Sequence, residues 1–284
     1  MCRQLIIGLF AFVCFQDAKA QSNSSLLWEI SGNGLKQNSY IYGTIHLIGK
    51  SDFVVRPEID SVFNLSEQVV FEMKLDDPDL LTIYQDWMYL PVGSTLKDYC
   101  TPEEYQKLKR YLADSLNTEI ESMTNQKPFA ISQLLIDAYF EEELASFELY
   151  FMTKCLQQGK NMKGLEKIQD QLHIYDSIPF SEQIDDILKE IDSETNNDIL
   201  MKEMINAYKK EDLEALRTFV FANSPEVNKY EDLYLNNRNE NWITEIRDLM
   251  VKSSAFIAVG AAHLPGEKGI LQLLKEQGYT VTSL

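Results

Sequence analysis

Apolar and polar positions divide this chain into two kinds of segment. Towards both ends the apolar residues fall in short runs bounded by glycines and polar clusters, the pattern of strands. "LLWEISGNGLKQNSYIYGTIHLIG" reads as a hairpin, with one strand from Leu26 to Ile30, a turn region at "GNG" and a second strand from Ser39 to Ile45. "RPEIDSVFNLSE" predicts a short helix, with Pro57 suited to its first turn. "QVVFEMKL", rich in β-branched and apolar residues, predicts a strand. From about Pro78 to Gln158 the period becomes helical; "TPEEYQKLKRYLADSL" opens with a threonine cap, a proline at the first helical position and acids in the first turn. "GKNMKGLE" interrupts with glycines and carries another short strand, and helical periodicity returns over about 178–252. The chain closes with the apolar run "AFIAVG", the helix "GILQLLKEQG" and the strand "YTVTSL", an order that predicts a right-handed crossover and parallel pairing. The expected fold is therefore α/β: one domain over 21–284, with a mixed central sheet built from both chain ends and a large helical insertion at about 78–158.

The first 20 residues stand outside that pattern. A basic start at Arg3, an apolar stretch from Leu5 to Phe15 and the small-x-small triplet Ala18-Lys19-Ala20 predict a cleaved secretory signal with Gln21 as the mature start. The apolar stretch is too short for a stable anchor. The protein is expected to be secreted or periplasmic, with no membrane anchor after cleavage. With 44 acidic and 26 basic residues the net charge is −18, which argues against a nucleic-acid partner and against docking on anionic lipid. Removing the leader leaves Cys100 and Cys155, either one disulfide or two separate buried thiols. Asn23 and Asn64 head glycosylation sequons, which matter in a eukaryotic host.

Only three histidines occur, and two share a pattern. His46 follows Gly43 by three residues in "YIYGTIHLIG", and His263 follows Gly260 by three in "FIAVGAAHLPG", each just past an apolar strand. In open α/β sheets ligands sit beyond the carboxyl ends of the strands, so two such imidazoles can converge there. Glycine lets the backbone turn tightly or a ligand approach, and neutral imidazole binds divalent transition metals. A metal site wants a carboxylate as well. Glu72, an acid inside the apolar strand "VVFEMKL", is the first candidate, although alternation also permits an outward-facing residue. Glu166 in "MKGLEKIQDQ" is the second, with a solvated helix start as the alternative. Arg238 and Asn239 in "LNNRNENW" read either as an exposed helix face or as a group that holds a substrate carboxylate or a developing oxyanion. His173 lacks the glycine and reads as structural. The chain has no G-x-S-x-G, no H-E-x-x-H and no phosphate-cradling loop.

Taken together, these segments resemble the TraB/GumN-like family, whose members include bacterial pheromone-shutdown proteins and animal Wnt-cleaving proteases. The resemblance rests on "LLWEI" with "YIYGTIHLIG", "VVFEMKL", "GKNMKGLEKIQDQL" with its Gln171, "LNNRNENW" and "FIAVGAAHLPGEKGILQLLKEQGYTV", and spans about residues 26–284. Ala262 stands where a glycine is common, and Lys167 where a threonine is common. The resemblance implies an α/β fold related to erythromycin esterase and haem-binding ChaN-like proteins. It also implies a metalloprotease built on the two Gly-x-x-His motifs plus a glutamate. His46, Glu72 and His263 would hold the metal (Mn, Co or Zn), supported by Glu166, Arg238 and Asn239.

The expected function is a metal-dependent hydrolase of peptide or protein substrates, with Glu166 as general base and Arg238 stabilising the oxyanion. Two alternatives stand beside it: a non-catalytic protein that captures peptide or haem in the same cleft, and a metal-free hydrolase using histidine and glutamate.

Overall fold

The computed structural model describes residues 25–140, 142–193 and 197–284. The expected leader lies outside them. Six strands form the central sheet: β1 (Leu27–Ser31), β2 (Ser39–Thr44), β3 (Gln68–Met73), β4 (Asn161–Glu166), β5 (Ala255–Gly260) and β6 (Thr280–Ser283). Their spatial order is β4-β3-β5-β2-β1-β6. The neighbours β4, β3, β5 and β2 run parallel to one another, whereas β1 is antiparallel to both β2 and β6. The sheet is thus mixed, with five strands from the two chain ends and β4 from the middle segment "GKNMKGLE". The interior strands β3 and β5 are apolar almost throughout, as expected of strands covered on both faces.

One pairing differs from expectation. β5 and β6 flank the helix Ile270–Glu276 but do not pair; β6 lies against β1 at the sheet edge, with Trp28 opposite Ser283 and Ile30 opposite Val281. Both sides of β5 are already taken, by β3 and β2, so the last strand finds its open hydrogen-bonding edge on the far side of the hairpin. The chain end is fastened there by Leu284 N–H donating to Leu27 O at 2.9 Å and Ser25 Oγ donating to Leu284 O at 2.9 Å.

The helices sort into two apolar clusters. The main core packs Trp242, Ile246 and Leu249 of the helix Asn237–Lys252, and Phe147 and Phe151 of the helix Phe147–Gln158, with the sheet. A second cluster joins Leu96, Leu108, Leu112, Ile120, Ile131 and Leu135 to Ile184, Ile187 and Leu188. The helical lobe therefore combines the insertion after β3 with the later helix Phe180–Asp192, while Phe147–Gln158 belongs to the main core. An amphipathic stripe specifies that a face is buried but not against what. Cys100 and Cys155 are free thiols. Among the described residues no helix is long and apolar enough to cross a membrane.

Candidate functional site

Because β4, β3, β5 and β2 are parallel neighbours, their carboxyl ends lie along one rim of the sheet, the edge at which α/β sheets gather ligands. Glu166 ends β4, Glu72 is the penultimate residue of β3, Gly260 ends β5 with His263 three residues on, and His46 follows β2. Four of the six residues singled out from the sequence thus stand side by side in the lateral order of the strands. The other two, Arg238 and Asn239, open the helix Asn237–Lys252 directly after a π-turn at Asp232–Asn236.

Gly260 marks the centre. A Cβ placed on it would lie 3.2 Å from Glu72 Oε1, 3.6 Å from His263 Cδ2 and 3.7 Å from His46 Nε2, so two imidazoles and a carboxylate converge on one residue. Its φ of −53° is open to any residue, so the glycine serves close approach rather than a turn. Gly43 of the first motif has a different reason: a Cβ there would strike Leu264 Cδ1 at 2.8 Å and Ala261 Cα at 3.1 Å, where β2 runs beside the loop carrying His263.

The buried part of the site is a hydrogen-bonded chain. Glu72, its side chain 10% exposed, accepts from Gly260 N–H at 2.7 Å, Arg238 Nη2 at 2.7 Å and Gln171 Nε2 at 3.2 Å. Arg238 also grips Glu166, with Nη2 at 2.7 Å and Nε at 3.2 Å from Oε1, and Trp242 Nε1 donates to Glu166 Oε2 at 2.9 Å. The guanidinium lies over the Trp242 ring, 4.6 Å from its centroid, and His263 packs on the same indole at 4.6 Å. His263 Nδ1 lies 2.7 Å from Asn239 Oδ1, and Nε2 lies 3.2 Å from Arg238 Nη1. Arginine only donates, so Nε2 is the acceptor and Nδ1 carries the proton: His263 is neutral in one fixed tautomer. Asn239 is held in turn by Nδ2 donating to Lys268 O at 2.9 Å. Burial pushes the His263 pKa down to about 3, with Glu72 opposing and Arg238 and His46 reinforcing. Burial alone would raise the Glu72 pKa; the facing His263, Arg238, His46 and the Gly260 N–H outweigh it and hold the carboxyl well below the usual range.

His46 is built differently. Its side chain is 68% exposed, and Nδ1 lies 3.0 Å from Glu148 Oε1. Desolvation in this crowded neighbourhood acts to lower its pKa, but the bond to Glu148 and the charge of Glu72 raise it to about 9. Glu148 was not apparent from sequence. It sits in the first turn of the helix Phe147–Gln158 behind the cap residue Ser146, where an acid reads as ordinary helix-terminal chemistry. Phe147 and Phe151 bury against Tyr42 of β2, at 5.6 and 5.8 Å between ring centroids, and so bring that helix start beside His46. Gln171 and Trp242 also enter the site, whereas His173 is exposed on the helix Ile168–Asp176.

The donor set has the right chemistry for a divalent transition ion: two imidazoles and an ionised carboxylate, with the far nitrogen of each ring fixed by an oxygen acceptor. The spacing is looser than coordination requires. His263 Nε2 is 3.8 Å from Glu72 Oε1, Arg238 Nη1 shares the Nε2 lone pair, and among the described residues no three ligating side chains are closed around one point. An ion on His263 Nε2 would require Nη1 to release that lone pair.

Comparison with known proteins agrees with the motifs. Metalloprotease TIKI2 of Danio rerio is 23% identical over 331 residues, covering 94% of this chain and 62% of its own length. Metalloprotease TIKI1 of Danio rerio is 23% identical with 94% and 65% covered, and human metalloprotease TIKI1 is 23% identical with 91% and 61% covered. The chain spans less than two thirds of the length of these relatives. No solved structure matches. The profile of the TraB/PrgY/gumN family matches residues 26–283, nearly the whole described chain, and the protein belongs to that family.

Proposed function

We propose that the protein is a secreted or periplasmic metal-dependent hydrolase of peptide or protein substrates. The observation that carries this reading is the convergence of His46, Glu72 and His263 around Gly260. The metalloprotease relatives support it. The three side chains would hold the ion through His46 Nε2, Glu72 Oε1 and His263 Nε2. A divalent ion (Mn, Co or Zn) held there would supply Lewis-acid chemistry, lowering the pKa of a water and polarising a substrate carbonyl.

The protein's own residues supply the rest. Glu72 stays ionised and is aimed by Gly260 N–H and Gln171. Asn239 keeps the proton of His263 on Nδ1, so Nε2 offers a lone pair. Both Glu166 oxygens are already engaged: Oε1 by Arg238 Nη2, Oε2 by Trp242 Nε1, and the two together by the shared Arg238 Nε–H. In place of the general-base role expected from sequence, we assign Glu166 as the anchor of Arg238. Three N–H groups, Arg238 Nε and Nη2 and Trp242 Nε1, thus occupy its two oxygens. Held between Glu72 and Glu166, Arg238 has an Nη1 that, once released from His263, is free to donate to a substrate carbonyl oxygen as negative charge develops on it.

The test is elemental analysis of the chain purified without chelator and resupplied with Mn, Co and Zn, beside the His46→Ala/His263→Ala double variant. The expected result is stoichiometric metal in the wild type, its loss in the variant, and chelator-sensitive cleavage of a peptide library. Absence of metal from both would sink the reading. A metal-free hydrolase is the second reading, favoured by the carboxylate on His46 Nδ1, which also suits a general-base dyad. Peptide cleavage that persists in chelator would select it.

A further inference from the structure

Glu148 is a partly buried carboxylate to which neither the motifs nor the family resemblance gives a role. Its side chain is 17% exposed, against 68% for its partner His46, so the charge is inside and the imidazole outside. Three donors converge on it: Thr44 Oγ1 at 2.6 Å and His46 Nδ1 at 3.0 Å on Oε1, and Ser146 Oγ at 2.8 Å on Oε2. Two of those partners come from the first Gly-x-x-His segment and one from the cap of the helix that Glu148 opens. The segments are pinned together by a two-residue antiparallel ribbon, Ile48 opposite Ala145 and Gly49 opposite Leu144, two residues beyond His46 and three before Glu148.

This arrangement has a chemical consequence. A neutral imidazole has one N–H and one lone pair, and in water the proton prefers Nε2. A carboxylate can only accept, so Glu148 requires the proton on Nδ1. That leaves the lone pair on Nε2, the nitrogen that faces Gly260 and Glu72. His263 reaches the same tautomer through Asn239, a neutral acceptor.

We infer that Glu148 is the positioning residue of His46: fixed by Thr44 and Ser146, it holds the imidazole proton on Nδ1 and aims Nε2 into the site. The inference rests on the proposed use of His46 Nε2. A carboxylate behind a ligating histidine fixes the ring and makes it a better donor, and losing one costs about 10–100-fold in metal affinity.

The test uses the full chain with Glu148→Leu, which leaves His46 Nδ1 no side-chain acceptor at that position, and two readouts. Titration with Co(II) is expected to show binding weakened by about 10–100-fold. In the metal-free protein, the nitrogen chemical shifts of His46, recorded above the pH at which the ring titrates, are expected to move from the Nδ1–H to the Nε2–H tautomer. A merely structural helix-capping role would alter thermal stability and leave both readouts in place. If Glu148→Leu does not fold, Thr44→Val keeps the carboxylate and loosens it, and is expected to move Co(II) affinity in the same direction by a few-fold. Unchanged tautomer and unchanged Co(II) affinity in either folded variant would overturn the inference. A tautomer shift in Glu148→Leu with no Co(II) binding even in the wild type would sink the metal reading while leaving the positioning role established.

Discussion

The two histidines of the Gly-x-x-His motifs occupy equivalent places, each just beyond the carboxyl end of a parallel strand, yet their surroundings are opposite. His263 is 4% exposed, stacked on Trp242, neutral, and set by the amide of Asn239, with its pKa pushed down to about 3. His46 lies at the surface, set by the carboxylate of Glu148, with its pKa raised to about 9. The difference follows from what surrounds each ring. Around His263, burial and the Arg238 guanidinium shared by Glu72 and Glu166 keep the ring itself neutral. Around His46 the carboxylates of Glu148 and Glu72 outweigh the opposing Arg238, so the ring takes a proton. One side of the site is a preformed wall and the other an accessible arm, an asymmetry suited to admitting an ion or a substrate from the His46 side.

The largest expected effect lies on the wall. Arg238→Met leaves Glu72 and Glu166 as facing buried carboxylates without their shared cation, their side chains 10% and 9% exposed. Urea denaturation is expected to show a loss of about 3–5 kcal/mol. His46→Ala, on the exposed arm, is expected to stay within about 0.5 kcal/mol of wild type while still losing the ion. Equal destabilisation by the two substitutions would erase the distinction between wall and arm.

Asn239→Ala comes next. It strips the acceptor from His263 Nδ1 and the donor from Lys268 O, and leaves buried groups unpaired. The expected cost is about 1–3 kcal/mol in urea denaturation, with weakened metal binding as His263 loses its fixed tautomer. Asn239→Asp sharpens the point: it keeps the acceptor and adds a charge, so the His263 pKa should rise towards that of His46, a change read directly from the nitrogen shifts of the ring. A His263 pKa that stays put would mean that Arg238, rather than the neutral acceptor, decides the state of the ring.

Much of the frame was legible because it is local. Short apolar runs marked the six strands, and an acid inside "VVFEM" or a histidine at the end of "FIAVG" is conspicuous because an unpaired charge there would be costly. What could not be read was pairing between distant segments. The partner of the last strand depended on which sheet edge was open. Glu148 gave no signal, because an acid in the first turn of a helix already has a local explanation and its imidazole partner lies 102 residues away. Arg238 and Asn239 could be singled out, but not that one clamps two carboxylates and the other sets a tautomer, since both facts arise from the docking of one helix over the rim.

Counting protons separates the two histidines most finely. Below about pH 9 His46 is protonated on Glu148, so an ion taking its Nε2 must displace one proton. His263, neutral above about pH 3, releases none, and Glu72 is ionised throughout. The logarithm of the apparent metal affinity should therefore rise by about one per pH unit from about pH 5 and level off as the pH passes the His46 pKa, a gain of about 1.4 kcal/mol per unit. Calorimetric titrations in buffers of different ionisation enthalpy measure the same quantity as protons released per ion. One proton at neutral pH is expected for the wild type. In Glu148→Gln the raised pKa loses its main support, so the levelling-off should move down towards the ordinary imidazole range. A second proton that persists at acid pH, where a metal-bound water stays un-ionised, would mean that His263 also carries charge, contrary to the hydrogen bond it accepts from Arg238. None would mean that His46 stands outside the coordination sphere and the ion rests on the wall alone.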